Sequence, residues 1–242
     1  AEFFHATGLL ILEGYGLTET TAATHVNRVN AFRFGTVGQA IPGVEIRIAA
    51  DGEILARGPN IMREYYRNPD ANAEVLDREG WFHTGDIGLI QPGGFLRITD
   101  RKKDIIVTAG GKNIAPQNIE SALKSQCPYV SQVMVYGDKR PFLTALVTLN
   151  EENVRAWAAE KSMSARGMAE LARTPAVFNL MQGAFDRLNE GLAQFETVKK
   201  FAILERDFSQ EAGELTPTLK VKRKFCAEKY MHVLDSLYAS AS

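Results

Sequence analysis

Residues 100–104 read Asp-Arg-Lys-Lys-Asp, and the sequence follows different rules on the two sides of that charged run. Alone, such a run is a solvated linker. Upstream, from Gly35 to Arg101, short apolar stretches are punctuated by glycine turns. Residues 44–49, the pair Asp51-Gly52 and residues 53–57 form a strong hairpin signal, and Pro92-Gly93-Gly94 between residues 88–91 and 95–99 gives another. This predicts a small antiparallel region, a twisted sheet or partial barrel. Downstream the pattern mixes helix and strand. A helix opens at Pro116 with Ile119, Ala122 and Leu123 on one face. Residues 130–136 and 142–149 alternate as a strand pair that puts Leu143, Ala145, Val147 and Leu149 on one side, and residues 201–205 make a third strand. Between them Thr174 can cap and Pro175 can open a helix carrying Val177, Leu180, Met181, Ala184, Phe185, Leu188 and Leu192 at helical spacing. That stripe reads as packing, because a surface helix needs an apolar face in any case.

The start of the chain reads differently. Ala-Glu-Phe-Phe-His-Ala-Thr-Gly has the look of a helix end stopping at Gly8, and residues 9–12 that of a buried strand. A beginning this abrupt suggests a segment cut from the middle of a larger domain.

With 242 residues, 45% of them hydrophobic and 24% charged, the chain has ordinary globular composition and can bury a core. Its 28 basic and 29 acidic side chains leave a formal charge of -1, so no global field points to nucleic acid or an anionic membrane as main partner. The run Lys-Val-Lys-Arg-Lys at 220–224 is the one dense basic cluster. Cys127 and Cys226 lack the spacing of a zinc site or a disulfide framework, which fits a reducing, cytoplasmic setting. No apolar run approaches the roughly 20 residues that span a bilayer, so any membrane contact is expected to be peripheral.

Four short motifs follow one another: Glu13-Gly14-Tyr15-Gly16-Leu17-Thr18-Glu19-Thr20, then Thr84-Gly85-Asp86, then the run at 100–104, then Leu215-Thr216-Pro217-Thr218-Leu219-Lys220. Each alone is weak: Thr18 followed by an acid commonly starts a helix, and Gly-Asp is usually a turn. In this order they resemble the motifs of the adenylate-forming enzymes, the acyl-CoA synthetase/AMP-binding superfamily, and the resemblance covers essentially the whole chain. Thr-Pro-Thr-Leu-Lys, where commoner family text has Asn-Gly before the lysine, is similar to the long-chain fatty acid-CoA ligase branch.

The resemblance implies an α/β and α+β chain: residues 1–100 as the end of a large adenylation domain, 101–104 as a hinge, and 105–242 as a mobile C-terminal domain of antiparallel sheet and helices with a helical insertion at about 150–195. It implies ATP, Mg²⁺ and coenzyme A as cofactors and a fatty acid as substrate. Tyr15 would stack on adenine, with Gly14 letting the backbone approach the ligand; Thr18 would meet the α-phosphate and Glu19 the Mg²⁺. Asp86 and Arg101 would hold the ribose, and His83 would position rather than transfer protons. Lys103 takes the hinge place. Gly110 would let a pantetheine arm pass, and Lys112 would meet a CoA or carrier phosphate. Lys220, rather than Lys222, would reach the substrate carboxylate and α-phosphate.

The family's Ser/Thr/Gly-rich phosphate loop is absent from this sequence, and in the family it lies upstream of this region. The chain is therefore expected to be the C-terminal portion of a longer ligase, needing a missing N-terminal part and unable to adenylate alone. Two rivals stand beside that reading. One is an acyl-AMP ligase that loads a carrier protein; the other is a non-catalytic nucleotide- or CoA-binding module.

Overall fold

A computed structural model describes residues 1–163 and 167–239 and divides the chain into two compact units, Ala1–Lys103 and Asp104–Ser242. The helical insertion expected at about 150–195 includes residues 164–166, which lie outside the described residues.

The first unit opens with α1 (Glu2–Ala6). Residues 9–12 do not form the expected buried strand: Leu9 and Ile11 are 56% and 38% exposed, and no strand among the described residues pairs with the stretch. An apolar run becomes a strand only where partners satisfy its backbone and cover its side chains. Next come β1 (Gly14–Tyr15), β2 (His25–Val26) and β3 (Gln39–Ala40), joined antiparallel in that order. β4 (Glu45–Ile48), β5 (Glu53–Arg57), β6 (Phe82–Gln91) and β7 (Phe95–Arg101) form an antiparallel four-stranded sheet, with α2 (Pro69–Val75) between β5 and β6. Both hairpins expected from the turn residues are present. In the first, Arg57 of β5 pairs with its register partner Glu45 at 2.7 Å, a cross-strand ion pair on the open face. Ile54, Ala56 and Leu96 are wholly enclosed, and Leu55, Phe82 and Trp81 are buried beside them in the chain's first unit.

The second unit starts with a short hairpin, β8 (Ile106–Val107) and β9 (Asn113–Ile114), followed by α3 (Pro116–Gln126). β10 (Val130–Tyr136) and β11 (Leu143–Leu149) pair antiparallel as expected. α4 (Glu151–Glu160), α5 (Met168–Ala172) and α6 (Pro175–Glu190) then lead to β12 (Val198–Ile203), which lies beside β11 and parallel to it. The expected antiparallel sheet is thus mixed at this edge. Parallel neighbours need a long crossover, and the helical insertion supplies it by returning the chain to the starting end of β11.

Every residue of β11 is buried, because both faces of the sheet are covered. Leu143, Ala145, Val147 and Leu149 face a core with α3, α4 and α6, while Leu146 and Met134 face a second core with Leu204, Leu215, Cys226 and Leu234. The last two come from α7 (Arg223–Lys229) and α8 (Met231–Ala239). In α6 the Thr174 hydroxyl accepts from the Val177 amide at 3.3 Å, Pro175 occupies the first turn, and Phe185 stacks on Phe201 at 4.7 Å. The apolar stripe of α6 is core, and burying a side chain such as Phe185 stabilises by about 2–3 kcal/mol. No helix among the described residues is long and apolar enough to cross a membrane.

Candidate nucleotide site

In the first unit a cavity of about 630 Å³, a size that suits a small-molecule ligand, is bordered by Glu19 and Tyr65, by residues 82–86 of β6 and by residues 101–103. Of the sequence motif at 13–20, Leu17 and Glu19 line this cavity, whereas Gly14, Tyr15 and Thr18 do not border it. β1 ends at Tyr15, and residues 18–20 make one 3₁₀ turn. Thr18 does not cap that turn; the Thr20 hydroxyl does, accepting from the Leu17 amide at 2.8 Å. Thr18 is exposed, and among the described residues its hydroxyl has no hydrogen-bond partner. Glu19 reaches the cavity with one oxygen accepting from the Tyr65 hydroxyl at 2.7 Å. Its carboxylate raises the Tyr65 phenol above its usual range.

The motif's glycines serve the fold itself. A Cβ on Gly16 would lie 1.9 Å from the Ala22 carbonyl oxygen, and one on Gly14 would lie 3.1 Å from that of His25. Gly16 is required by this close backbone approach before any ligand is considered.

Tyr15 is anchored, its hydroxyl donating to Asp86 Oδ2 at 2.6 Å. Burial, and then this bond to a carboxylate, push the phenol far above its ordinary range, so it stays a donor. Behind it His25 is enclosed, and burial pushes its pKa down to about 4. A neutral imidazole therefore packs 6.3 Å from the Tyr15 ring.

Asp86 and Arg101 are register partners across β6 and β7, with Asp86 nearly enclosed and the Arg101 side chain half exposed. Arg101 Nε lies 3.8 Å from Asp86 Oδ1. That spacing is too long for a hydrogen bond and leaves Oδ1 able to accept from a hydroxyl. Two residues absent from the motif reading complete the wall. Tyr65 gave no signal in the sequence. Glu53 did give one, an acid at the start of the buried Ile54-Leu55-Ala56 strand; its oxygens accept from Gly85 N at 2.9 Å and Lys102 Nζ at 2.8 Å, with His83 Nδ1 2.9 Å away. His83 is thus tied to a neighbouring carboxylate.

Among the described residues no cluster of three or more His, Cys, Asp or Glu could hold a metal ion, so any Mg²⁺ at this cavity would rest on fewer protein carboxylates, Glu19 being the one the sequence motif implies. A lone carboxylate suits that ion, which usually keeps several waters and takes further ligands from substrate phosphates.

The remaining sequence candidates lie in the second unit. Gly110 and Lys112 sit on the turn of the β8–β9 hairpin, closed by the Gly111 amide donating to the Thr108 carbonyl at 2.8 Å. Gly111, at φ +71°, is the residue this turn needs as glycine; a Cβ on Gly110 would meet only the Thr108 hydroxyl, at 3.9 Å. Lys112 Nζ lies 5.7 Å from the Phe195 ring centroid. Lys220 ends an exposed loop pinned by a Leu215–Val221 bridge and by the Thr216 amide donating to the Lys220 carbonyl at 2.8 Å. Leu219, in the place of the commoner glycine, is held at φ +60°. Lys222 instead occupies the residue before α7, without a side-chain capping bond, and its amide donates to the Glu214 carbonyl at 2.8 Å.

The family described as AMP-binding enzyme C-terminal domain matches residues 103–242, and that described as AMP-binding enzyme matches residues 1–66. The chain belongs to the AMP-binding enzyme family. This AMP-binding enzyme chain is 43% identical over 237 residues to long-chain-fatty-acid–CoA ligase FadD15 of Mycobacterium tuberculosis, covering 98% of itself and 39% of that relative. It is 36% identical over 258 residues to long-chain-fatty-acid–CoA ligase ACSBG1 of Rattus norvegicus, covering 98% of itself and 36% of the relative. The chain therefore spans about two-fifths of the length of the relatives it matches. Among solved structures, the adenylation domain of a carboxylate reductase from Mycobacterium chelonae superposes with TM-score 0.74 at 23% identity over 98% of this chain and 36% of that one. That likeness shows the fold. The Bacillus subtilis o-succinylbenzoate–CoA synthetase, solved with ATP and magnesium, superposes with TM-score 0.65 at 26% identity over 92% of this chain and 42% of that one.

Proposed function

We propose that this AMP-binding enzyme chain carries the ribose-facing wall, hinge and C-terminal domain of an ATP-dependent long-chain fatty acid:CoA ligase. One observation carries the reading: Asp86 and Arg101 stand as cross-strand partners on a cavity that Glu19 also borders, in a chain 43% identical to a protein named as such a ligase. In this reading ATP would supply an adenylyl group to the fatty acid carboxylate with pyrophosphate leaving, and the CoA thiol would then take the acyl group with release of AMP. Asp86 accepts from ribose hydroxyls and Arg101 assists it. Tyr15, fixed through its hydroxyl, offers its ring to adenine, Thr18 offers an unpartnered hydroxyl to the α-phosphate, and Glu19 holds Mg²⁺. Lys103 is the pivot of a hinge at 101–104, so that Lys220 serves the first half-reaction and the Gly110–Lys112 turn the second. Two buried free thiols, Cys127 and Cys226, support a cytoplasmic setting.

The test separates the half-reactions in a polypeptide that joins this chain to the phosphate loop. Lys220→Ala is expected to slow acyl-AMP formation by about 10²–10³-fold, the loss typical when one transition-state charge contact is removed. Thioester formation from supplied acyl-AMP should change little. Equal loss in both steps, or rapid acyl-CoA formation by the chain without that loop, would overturn the reading.

A further inference from the structure

Glu53 opens β5 at the rim of the cavity, is 3% exposed, and is the residue around which that end of the sheet is organised. A carboxylate so enclosed is costly unless hydrogen-bonded partners compensate. Its partners sit at telling places. Gly85, whose amide donates to Oε1 at 2.9 Å, immediately precedes Asp86. Lys102, whose ammonium donates to Oε2 at 2.8 Å, immediately follows Arg101. His83 Nδ1, 2.9 Å from Oε2, adds a third hold on β6, and Lys102 is pinned a second time by Asp51 Oδ2 at 2.8 Å. The Asp86 and Arg101 side chains are 3.8 Å apart, beyond hydrogen-bond reach of one another, and of the two Tyr15 holds only Asp86, so what holds their neighbours adds to the cross-strand pairing in setting their alignment. Burial works to raise the Glu53 pKa, but the Lys102, His83 and Gly85 contacts outweigh it and keep the group ionised below the usual carboxylate range.

We propose that Glu53 is a positioning residue: by tying the residue before Asp86 and the residue after Arg101 to one carboxylate, it sets the geometry with which that pair meets a ligand. The ligand being a nucleotide ribose rests on the function proposed above; the positioning itself does not.

The test uses the whole chain with Glu53→Gln, which keeps the shape and removes the charge. Amide hydrogen exchange at Asp86, Ile87, Arg101 and Lys102 is expected to speed up while exchange in β10 and β11 stays the same. The Kd for AMP, read by calorimetry, should rise by about tenfold or more, the scale expected when a binding group is displaced by a fraction of an ångström to an ångström. Unchanged exchange at those amides overturns the proposal, as does faster exchange with an unchanged Kd. If the wild-type chain does not bind AMP, the nucleotide reading of this cavity fails, and the exchange result alone decides whether Glu53 positions the pair. Lys102→Gln removes one anchor from a half-exposed place and covers the case in which the first variant does not fold. It is expected to loosen Arg101 while leaving Asp86 in place, and no change at Arg101 would likewise overturn the proposal.

Discussion

Glu214 is wholly enclosed, yet it is ionised and surrounded by donors. Its Oε1 accepts from Arg206 Nη2 at 2.7 Å and the Tyr230 hydroxyl at 2.6 Å, with Lys229 Nζ at 3.0 Å; its Oε2 accepts from Arg206 Nη1 at 2.8 Å and Ser209 N at 3.0 Å. Burial alone would raise its pKa, but the Arg206, Tyr230, Ser209 and Lys229 contacts overcome this and bring it to about 2 from an ordinary 4.5. In Glu214→Gln the new amide group must face donors whichever way it turns, since both oxygens of the native carboxylate only accept. Arg206 and Lys229 are partly exposed and can regain water, which places the loss near the low end of the range for breaking a buried pair, about 3 kcal/mol.

Because the folded-state pKa is depressed, this stabilisation is complete above the ordinary value near 4.5 and is lost as pH falls toward about 2. Urea unfolding of the wild type between pH 6 and pH 2 should therefore show a steep acid loss of stability in the second unit, and Glu214→Gln should flatten it while lowering stability at pH 6. A variant that loses less than about 1 kcal/mol at pH 6, or that keeps the wild-type acid slope, would refute the reasoning, because such a loss is no larger than that of an exposed ion pair. The same residue has a functional side. Its carbonyl accepts from Lys222 N, and Leu215 beside it bridges Val221, so Glu214 fixes the two ends of the loop that carries Lys220.

Three further substitutions separate glycine and loop roles. Gly16→Ala should destabilise the first unit by several kcal/mol in thermal unfolding, since its Cβ would overlap the Ala22 carbonyl at 1.9 Å and backbone must move. Gly110→Ala should fold with stability within about 1 kcal/mol of wild type, as its Cβ has room, yet slow thioester formation in a ligase containing this chain; an unchanged rate of that step would remove Gly110 from the CoA path. Leu219→Gly should relieve a left-handed backbone that costs a non-glycine residue about 1–2 kcal/mol, offset in part by the entropy of a freer unfolded chain, for a net gain of about 0.5–1 kcal/mol by chemical denaturation.

What could be read in the sequence was what is local. Asp51-Gly52 and Pro92-Gly93-Gly94 specify their hairpins through turn chemistry within a few residues, and Thr174-Pro175 starts α6 in the same way. The direction of β12 was not local: it follows from where α4 to α6 return the chain, and an insertion read as helices carries no statement of where it ends. Residues 9–12 failed for a related reason, since an apolar run does not name its partners. Glu53 is the sharper case. Its partners His83 and Lys102 are 30 and 49 residues away, so no window around Glu53 contains the reason it is an acid. The glycines of the motifs divide by the same logic. Gly16 and Gly111 are required by this chain's own backbone, one by close approach and one by a left-handed turn, so their presence is explained before any ligand is invoked. Gly110 has ordinary backbone and space for a side chain, and a glycine the fold does not need points more strongly to something that must pass beside it.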